Sequence, residues 1–342
     1  MKSSTPEIDF VITWLDGNDE NWRREKRQYE QSGASLEDGI DDREERYRDW
    51  EQLVYWFRGI EKNAPWVRKI HFVTWGHVPA WLNVNHPKLQ IVNHKDFIPE
   101  RYLPVFNSNV IEQYMHKIPD LSEHFVYFND DMFITGKVKP EDFFREGKPC
   151  DMLAFQPVVA NPQNPIMSHM LLNNMLVLSK YFNKRENIKK QPGKYFHIGY
   201  PLLYFGYNIM ELAFPLFSGL YTVHGTFPFC KSTFEEVWEK ERALLEEVAS
   251  HRFRSESDVT PYLFREWQKL SGNFCPRNIT RRFRYFNIGN NNDKLLKAMK
   301  NSKIKTICIN DANDKIDFEK VKKELLSGFE QILPEKSSFE IS

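Results

Sequence analysis

The sequence predicts an α/β fold: a mainly parallel, Rossmann-like sheet flanked by helices, with an irregular aromatic-rich insertion. Three observations predict it. Short β-branched and aromatic runs alternate with helical apolar spacing, each run ends in polar residues, and residues 140–230 break the alternation with many prolines and aromatics. Because a parallel pair of strands needs a long crossover connection, strands that alternate with helices are typical of parallel sheets.

Four strands are predicted in the first 130 residues, and helical spacing over residues 18–64 separates the first two. The strands cover 8–14 (IDFVITW), 69–74 (KIHFVT), 88–92 (KLQIV) and 125–128 (FVYF). In an open parallel sheet, ligands bind outside the carboxyl ends of the strands. We therefore expect one crevice to collect the polar residues that follow these strands: Asp16, Thr74–His77, Asn93–Asp96 and Asn129–Asp131.

The second half is predicted to be helical, with a closing strand and helix. Its expected elements are a charged helix from Thr233 to about Arg252, a helix over 260–270, a strand over 303–309 and an amphipathic helix over 318–333. We predict a single domain over 1–334, with parts at 8–139, 140–230 and 231–334, and a polar tail at 335–342.

Composition excludes some functions. With 47 basic and 47 acidic residues and a pI near 7.2, the chain lacks the positive excess that a nucleic-acid partner requires. Its four cysteines form no CxxC pair, which argues against a zinc knuckle or dithiol motif and favours a reducing compartment. No signal-peptide pattern and no membrane-spanning run are recognised, so a cytoplasmic location is expected, with peripheral membrane contact left open.

The sharpest local motif is Asn129-Asp130-Asp131, directly after a predicted buried strand. Carboxylate and amide oxygens suit Mg²⁺ or Mn²⁺ that bridges a diphosphate. The alternative is a turn or helix N-cap, where Asn and Asp are common. The position after a buried strand favours the functional interpretation.

Other polar residues permit nucleotide and phosphate chemistry. Asp16-Gly17 is either a turn or the first loop of a nucleotide site. No GxGxxG or P-loop motif occurs, so a nucleotide would be held through a metal, arginines and loop backbone. His224 is a candidate general base, and Arg252 or Arg254 a candidate phosphate ligand. The alternative for each is a structural role.

Taken together, several strings closely resemble the Stealth family, which includes the capsular polysaccharide phosphotransferases of bacteria and, more distantly, the enzyme that places N-acetylglucosamine-1-phosphate on lysosomal glycoproteins. The similar strings are 8–17 (IDFVITWLDG), 60–73 (IEKNAPWVRKIHFV), 78–99 (with PAWLN and HPKLQIVNHKDFIP), 103–112 (LPVFNSNVIE), 121–133 (LSEHFVYFNDDMF) and 307–311 (ICIND). The resemblance is dense from 8 to 133 and thinner afterwards.

The resemblance implies a glycosyltransferase-like catalytic domain that moves a hexose-1-phosphate from a UDP-sugar to a glycan or lipid-linked glycan, with release of UMP and with Mg²⁺ or Mn²⁺ as cofactor. By position, it implies catalytic Asp130, Asp131, His224 and Arg254, the first two as metal ligands. It places Trp14, Asp16, Gly17, Asn129, Asn310 and Asp311 near the nucleotide-sugar, and Asn107, Ser108, Arg252 and Asp258 near the substrate. Either His224 or Asp131 is the general base.

Two other functions fit the same residues. A metal-dependent glycosyltransferase would move the sugar alone and leave UDP. A non-catalytic glycan-binding protein would use the aromatic-rich region as its platform. In the enzyme, the same region is expected to present flat apolar surfaces to sugar rings, with Tyr195, Tyr204 and Phe227 as candidates; if these three are buried, the aromatic excess only fills the core. The oligomeric state is not predicted.

Overall fold

The protein is described from a computed structural model, which covers residues 6–30, 48–311 and 315–341. The part of the helical prediction at 31–47 lies outside these residues. The first half comprises β1 (Ile8–Thr13), α1 (Glu20–Tyr29), α2 (Leu53–Asn63), β2 (Ile70–Thr74), β3 (Leu89–Asn93), α3 (Ser108–Gln113), β4 (His124–Asn129) and β5 (Met132–Ile134).

The aromatic-rich middle contains more regular structure than its sequence predicts. Its elements are α4 (Pro140–Phe143), β6 (Phe144–Arg145), β7 (Lys148–Asp151), α5 (Pro165–Tyr181), α6 (Lys184–Lys190), α7 (Pro192–Tyr195), α8 (Leu202–Glu211) and β8 (Phe227–Cys230). The last part adds α9 (Lys231–Lys240), α10 (Arg242–Ser250), α11 (Tyr262–Leu270), β9 (Cys275–Pro276), β10 (Phe283–Asn287), α12 (Asp293–Met299), β11 (Thr306–Asn310) and α13 (Phe318–Ile332).

The charged helix predicted from Thr233 to Arg252 is two helices, α9 and α10. The chain leaves the helical conformation at Glu241 (φ −121°, ψ 33°), whose carboxylate accepts hydrogen bonds from Lys180 Nζ at 3.1 and 3.2 Å. Within the described residues, no helix is long and apolar enough to cross a bilayer.

The central sheet has the strand order β3-β2-β1-β4-β8. Its first four strands are parallel, in the order typical of a Rossmann half-sheet, and β8 is antiparallel to β4. The predicted mainly parallel α/β fold is therefore confirmed. β11 is not part of this sheet. The chain leaves the central sheet at the Asn129–Asp131 turn, and β5, which follows the turn, pairs with β11 in a second sheet of order β10-β11-β5. A third small sheet joins β6, β7 and β9.

One hydrophobic cluster extends from Ile8 to Phe339. Aromatic side chains of α2 pack on the sheet, with the rings of Trp56 and Phe128 5.4 Å apart. The predicted polar tail packs against the same helix: Phe339 is buried and lies 5.2 Å from Phe57. Residues 335–341 thus add to the core, because one apolar ring and a Glu340–Arg58 ion pair fix them.

A buried ion pair supports the loop that precedes β8. Arg265 donates two hydrogen bonds to Asp151, at 2.6 and 2.9 Å, and a third to the carbonyl oxygen of Val223 at 3.0 Å. Burial would raise the pKa of Asp151, but the charges of Arg265 and Lys269 outweigh it and hold that pKa below its usual value. The pair therefore fixes the backbone next to His224.

We expect Asp151→Asn to lower the free energy of unfolding at neutral pH by about 3–5 kcal/mol, because it leaves the buried Arg265 charge uncompensated. Asp151 contributes this stability above the unfolded carboxylate pKa of about 4 and loses it as pH falls through the lower folded value. Urea unfolding at a series of pH values measures the difference. The exposed Asp293→Asn variant is the control, and equal stability of Asp151→Asn and wild type at pH 7 would contradict the prediction.

Candidate active site

The acidic turn lies at a reversal point of the central sheet. β2 and β3 extend to one side of β1, and β4 lies on the other. Trp14–Gly17 follows β1, and Asn129–Asp131 follows the adjacent β4. In open α/β sheets this is where ligands bind. His77, after β2, accepts from the backbone N–H of Asp16 at 2.8 Å, and Asn93, at the end of β3, donates to the carbonyl oxygen of Trp75 at 2.9 Å. The four predicted polar strand ends therefore lie along one edge of the sheet.

β8 brings His224 to this turn. Because β8 runs antiparallel to β4, with Tyr127 opposite Phe227, its start lies beside the end of β4. His224 precedes β8, and its Nε2 lies 3.1 Å from Asp131 Oδ2. Its Nδ1 lies 3.2 Å from the hydroxyl of Tyr262, the first residue of α11. Both ring nitrogens are therefore fixed.

Cys308 completes the cluster from the second sheet. It lies opposite Met132 in the β11–β5 pair, and its thiol donates to Asp131 Oδ2 at 3.1 Å. Burial and the Asp131 charge raise the pKa of this thiol, so it stays protonated at neutral pH. Asp131 Oδ2 thus receives two contacts, from an imidazole and a thiol.

The electrostatics of the cluster centre on carboxylates. Burial acts to lower the pKa of His224, but the charge of Asp131 and its hydrogen bond outweigh burial and raise it. Although Asp130 reaches solvent at the rim, the protein around its carboxylate and the adjacent Asp131 raise its pKa to about 7. Two carboxylates this close repel each other unless a cation or donors compensate.

Two unpaired oxygens point to a cation. Asp131 Oδ1 and Asn129 Oδ1 are buried, and neither has a hydrogen-bond partner among the described residues. One donor atom each from Asp131, His224 and Cys308 lies within 4.8 Å of the others. Buried polar atoms are rarely left unpaired, and carboxylate and amide oxygens are ligands of divalent cations. The residues therefore fit a metal ion at Asp131.

A cationic cavity of about 600 Å³ lies beside the loop after β1. Its basic lining residues are Arg23, Lys26, Arg27, Arg48 and Lys322, and its acidic ones are Glu30, Asp49 and Glu51. Gly17 also lines it. The negative charge of Asp49 contributes to the raised pKa of Asp130, so the cavity and the acidic turn are electrostatically coupled. Among the described lining residues, Lys26 pairs with Glu30 at 2.8 Å and Lys322 with Glu51 at 2.6 Å, and basic groups outnumber acidic ones. Basic side chains, arginines above all, suit the phosphates of a nucleotide.

The other predicted nucleotide residues have supporting contacts. The backbone N–H of Asp16 donates to His77 Nε2 at 2.8 Å, and its carboxylate accepts from Asn18 N–H at 2.8 Å. The Trp14 ring stacks on Phe72 with centroids 5.6 Å apart. Asp16 therefore makes the turn that the sequence also allowed, and Trp14 packs on the sheet.

Asn310 and Asp311 follow β11. Asn310 Nδ2 donates to Asn287 Oδ1 at 2.9 Å. The Asp311 carboxylate accepts from Trp50 Nε1 at 3.1 Å and lies 3.7 Å from Arg48, a residue of the cationic cavity. Asp311 thus joins the cavity to the strand that carries Cys308.

Asp258 and Asn107 are positioning residues. Both are fully buried, and Asp258 accepts hydrogen bonds from Asn107 Nδ2 at 2.7 Å, Asn109 Nδ2 at 3.1 Å and His251 Nδ1 at 2.7 Å. The resemblance placed both near the substrate. In the structure neither side chain has surface available, and both anchor the 251–258 loop.

The structure separates the two candidate arginines on that loop. Arg252 donates to the carbonyl oxygen of Pro104 at 2.6 Å and lies over the ring of Tyr29 at 4.6 Å. Arg254 donates to Ser108 Oγ at 2.6 Å, and its charge acts on His224. Arg254 is therefore the arginine within electrostatic reach of the cluster.

Sequence reasoning missed Cys308 and Tyr262. Cys308 is 177 residues from Asp131, and Tyr262 is 38 residues from His224. Cys308 stands within the string ICIND, where its place in a strand that ends in polar residues was the one available signal. Nothing in the local sequence distinguishes Tyr262 from a core tyrosine.

Two of the three aromatic side chains that were candidates for contact with sugar rings are buried in the core. Tyr195 is fully buried and stacks on Phe155 at 5.2 Å, and Phe227 is buried beneath His224. Tyr204 is half-buried, with its ring 4.2 Å from that of Tyr221. The aromatic excess in this region largely fills the core.

Comparisons with known proteins identify the family of the chain. Family models described as "Stealth protein CR1, conserved region 1" and "Stealth protein CR2, conserved region 2" match residues 6–34 and 46–151. A capsular polysaccharide phosphotransferase, WcwK, of Streptococcus pneumoniae is 43% identical over 98% of both chains. The receptor polysaccharide phosphotransferase WefC of Streptococcus gordonii is 39% identical over 98% of this chain and 99% of its own.

A further relative and one solved structure extend the comparison. The exopolysaccharide phosphotransferase cps2G of Lactiplantibacillus plantarum is 37% identical over 99% of this chain and 98% of its own. The galactosyltransferase LgtC, solved with donor and acceptor sugar analogues, aligns with a TM-score of 0.37 and 11% identity over 92% of this chain and 95% of its own. At that score the structural similarity adds nothing to the topology described above.

An acidic turn, a fixed imidazole and a cationic cavity at one sheet edge are parts that phosphoryl transfer requires. Together with the relatives, they define this protein as a phosphotransferase. The chain belongs to the Stealth family.

We expect Mn²⁺ to bind at the acidic turn, and Asp131→Asn to weaken that binding by roughly ten- to a hundred-fold or more, since losses of this size follow even from changes beyond the ligands themselves. Cys308→Ser should have little effect, because sulfur is a poor ligand for a hard cation such as Mn²⁺, which prefers oxygen. Calorimetric titration with Mn²⁺ measures both.

The control is Asp293→Asn, which removes an exposed carboxylate far along the chain. Mn²⁺ affinity that is unchanged in Asp131→Asn, or lost in Cys308→Ser alone, would contradict an oxygen-based site.

Proposed function

We propose that this protein transfers a sugar-1-phosphate from a UDP-sugar to a hydroxyl of a glycan or lipid-linked glycan and releases UMP, in capsular or exopolysaccharide synthesis. The observation that carries the proposal is the Asp131–His224 pair, 3.1 Å apart, at the sheet edge where the loop after β1 borders a cavity of about 600 Å³ with five basic lining residues. The relatives named as polysaccharide phosphotransferases support the substrate class.

In the proposed reaction, the acceptor hydroxyl attacks the phosphorus atom that bears the sugar. The bond from that phosphorus to the oxygen bridging the two phosphates breaks, and UMP leaves with the oxygen. The proton of the hydroxyl would pass to His224 or to Asp131, whose side chains lie 3.1 Å apart. The Tyr262 hydroxyl holds the ring in position.

The proposed cofactor is Mg²⁺ or Mn²⁺, held by Asp131 and by the unpaired amide oxygen of Asn129, with Asp130 at the rim. When bound, such an ion neutralises charge on the diphosphate. The protein provides the rest of the positive charge. The basic side chains of the cavity would bind the nucleotide phosphates, and Arg254 would bind the phosphate that is transferred.

Arg254 is well placed for this role because its loop is rigid. Ser108 Oγ accepts from its guanidinium, and the buried Asp258 anchors the loop on both sides of it. Pre-positioned charge of this kind is the main means by which proteins accelerate phosphoryl transfer. We further propose that the protein works in the cytoplasm, at the inner face of the membrane.

The first test identifies the nucleotide product. Incubation of the purified protein with a panel of UDP-sugars, Mn²⁺ and a polysaccharide acceptor should yield UMP, detected by chromatography. UDP as the product would instead show a glycosyltransferase that moves the sugar alone. Glycan binding without either nucleotide, and indifferent to EDTA, would show a binding protein.

We expect Asp131→Ala to lower UMP formation by roughly 10³-fold or more, since it removes charge aimed at the reacting phosphate, without unfolding the protein. Thermal denaturation checks the fold, and Asp293→Asn is the matched control. Wild-type turnover by Asp131→Ala would refute the assignment.

Arg254 and Arg252 form a matched pair for a second mutational test. Arg254→Lys keeps the charge but loses the planar two-donor contact, and should lower kcat/KM by roughly 10- to 100-fold. Arg252→Lys should chiefly reduce stability, because its contacts are with Pro104 and Tyr29. Steady-state kinetics and thermal unfolding of both variants separate the two roles. The reverse pattern would assign the phosphate to Arg252.

A further inference from the structure

Helix α8 turns its apolar side chains outward and its polar ones inward. Leu202, Leu203 and Met210 are 89%, 58% and 60% exposed, whereas Asn208 and Glu211 are almost fully buried. A surface helix of a globular protein normally has the opposite orientation, with its apolar stripe against the core. The exposed side of α8 therefore requires an apolar partner.

The apolar surface continues beyond the helix. Ile198 before it and Leu212, Phe214 and Leu216 after it are also at least half exposed, with Ile198 at 97%. We call residues 198–216 the apolar plateau. Its one charged residue, Glu211, is buried. Monomeric soluble proteins rarely leave large contiguous apolar patches in water, and such patches usually mark a protein or membrane contact.

The plateau is held in this shape by a buried lysine. Lys184 Nζ, at the start of α6, donates to Glu211 Oε1 at 2.9 Å and to the carbonyl oxygens of Phe214 and Leu216, each at 2.9 Å. On the inward-facing side of α8, Asn208 donates to the carbonyl oxygens of Leu153 and Tyr195. The outward orientation of the apolar side chains is therefore fixed by satisfied polar contacts.

The same lysine places a basic helix directly beside the plateau. α6 has the sequence KRENIKK, and its Arg185, Lys189 and Lys190 are exposed. Glu186 is its single acidic residue. An exposed apolar surface with a basic border is the pattern of segments that lie in the interface of an anionic membrane.

We propose that the apolar plateau docks this protein on a lipid bilayer, with its leucine, isoleucine, methionine and phenylalanine side chains among the acyl chains and α6 against anionic headgroups. Charge complementarity selects the bilayer over a second copy of the chain. The plateau of a second copy would offer no exposed acidic residue to the basic border, since its one charged residue, Glu211, is buried, whereas anionic headgroups supply the opposite charge.

The docking surface connects to the active site by a short path. The ring of Tyr204, on α8, contacts that of Tyr221 at 4.2 Å, and His224 follows three residues later. The His224 loop therefore lies close to the helix that carries the docking surface. Such a position suits an acceptor that is carried on a lipid, although the binding itself does not depend on the proposed reaction.

The test is co-sedimentation of the full chain with vesicles made of an equal mixture of phosphatidylglycerol and phosphatidylcholine, and with vesicles of phosphatidylcholine alone. We expect binding to the anionic vesicles that weakens as salt is raised. Leu202→Ser combined with Leu203→Ser should reduce it at least ten-fold, and so should Lys189→Glu combined with Lys190→Glu. All four side chains are exposed, so the fold should be retained.

The matched control is Val84→Ser combined with Ile341→Ser, which removes two exposed apolar side chains outside the plateau and should leave vesicle binding unchanged. Binding is measured without UDP-sugar, and UMP formation with a soluble acceptor should be the same in the plateau variants and wild type. If the wild type binds vesicles but forms no UMP, the proposed function is overturned and the docking proposal is not.

Three results would overturn the docking proposal. The first is that the wild type does not bind anionic vesicles. The second is that the Leu202→Ser, Leu203→Ser variant binds them as well as the wild type does. The third is that neither protein binds vesicles, while light scattering shows a dimer for the wild type and a monomer for the variant. The last result would assign the plateau to self-association.

Discussion

The antiparallel pairing of β8 with β4 is the constraint on which the active site depends. Had β8 joined the sheet in parallel, like its other strands, the residues before it would lie at the opposite edge from the acidic turn. With Tyr127 opposite Phe227, the chain instead enters β8 where β4 ends. His224 and Asp131, 93 residues apart in the sequence, therefore meet at hydrogen-bond distance.

Several contacts make this meeting precise. The buried Arg265 guanidinium holds the Val223 carbonyl, and the Tyr262 hydroxyl holds the ring of His224. Gly225 leaves room for the ring of Phe283, since a Cβ atom there would come within 2.8 Å of it. The site thus combines a rigid loop with a carboxylate oxygen left unpaired. The buried ion pair stabilises the loop, and the loop holds the charged side chains in the positions in which they would meet a ligand.

Much of the central sheet could be predicted from sequence, because β-branched runs such as Ile8–Thr13 carry their own signal and end in polar residues. The Asn129–Asp131 motif was recognisable for the same reason. Cys308 and Tyr262 were not, because their role depends on which strands pair and which helix faces the turn. The burial of Asn107 and Asp258 could not be predicted for a related reason, since residues that fix a loop and residues that bind a ligand have the same polar side chains.

Helix α8 shows the limit of pattern reasoning most clearly. Its periodicity separates an apolar side from a polar side, and the usual inference turns the apolar side inward. The structure reverses this, because the interior offers partners that the polar side needs. Glu211 pairs with Lys184, and Asn208 accepts a hydrogen bond from the backbone N–H of Phe155 at 2.7 Å. Periodicity thus reveals that a helix has two faces, and the location of its polar partners decides which one meets the solvent. Because the polar side of α8 takes up these interior contacts, its apolar side faces outward, and only a partner outside the chain can cover it.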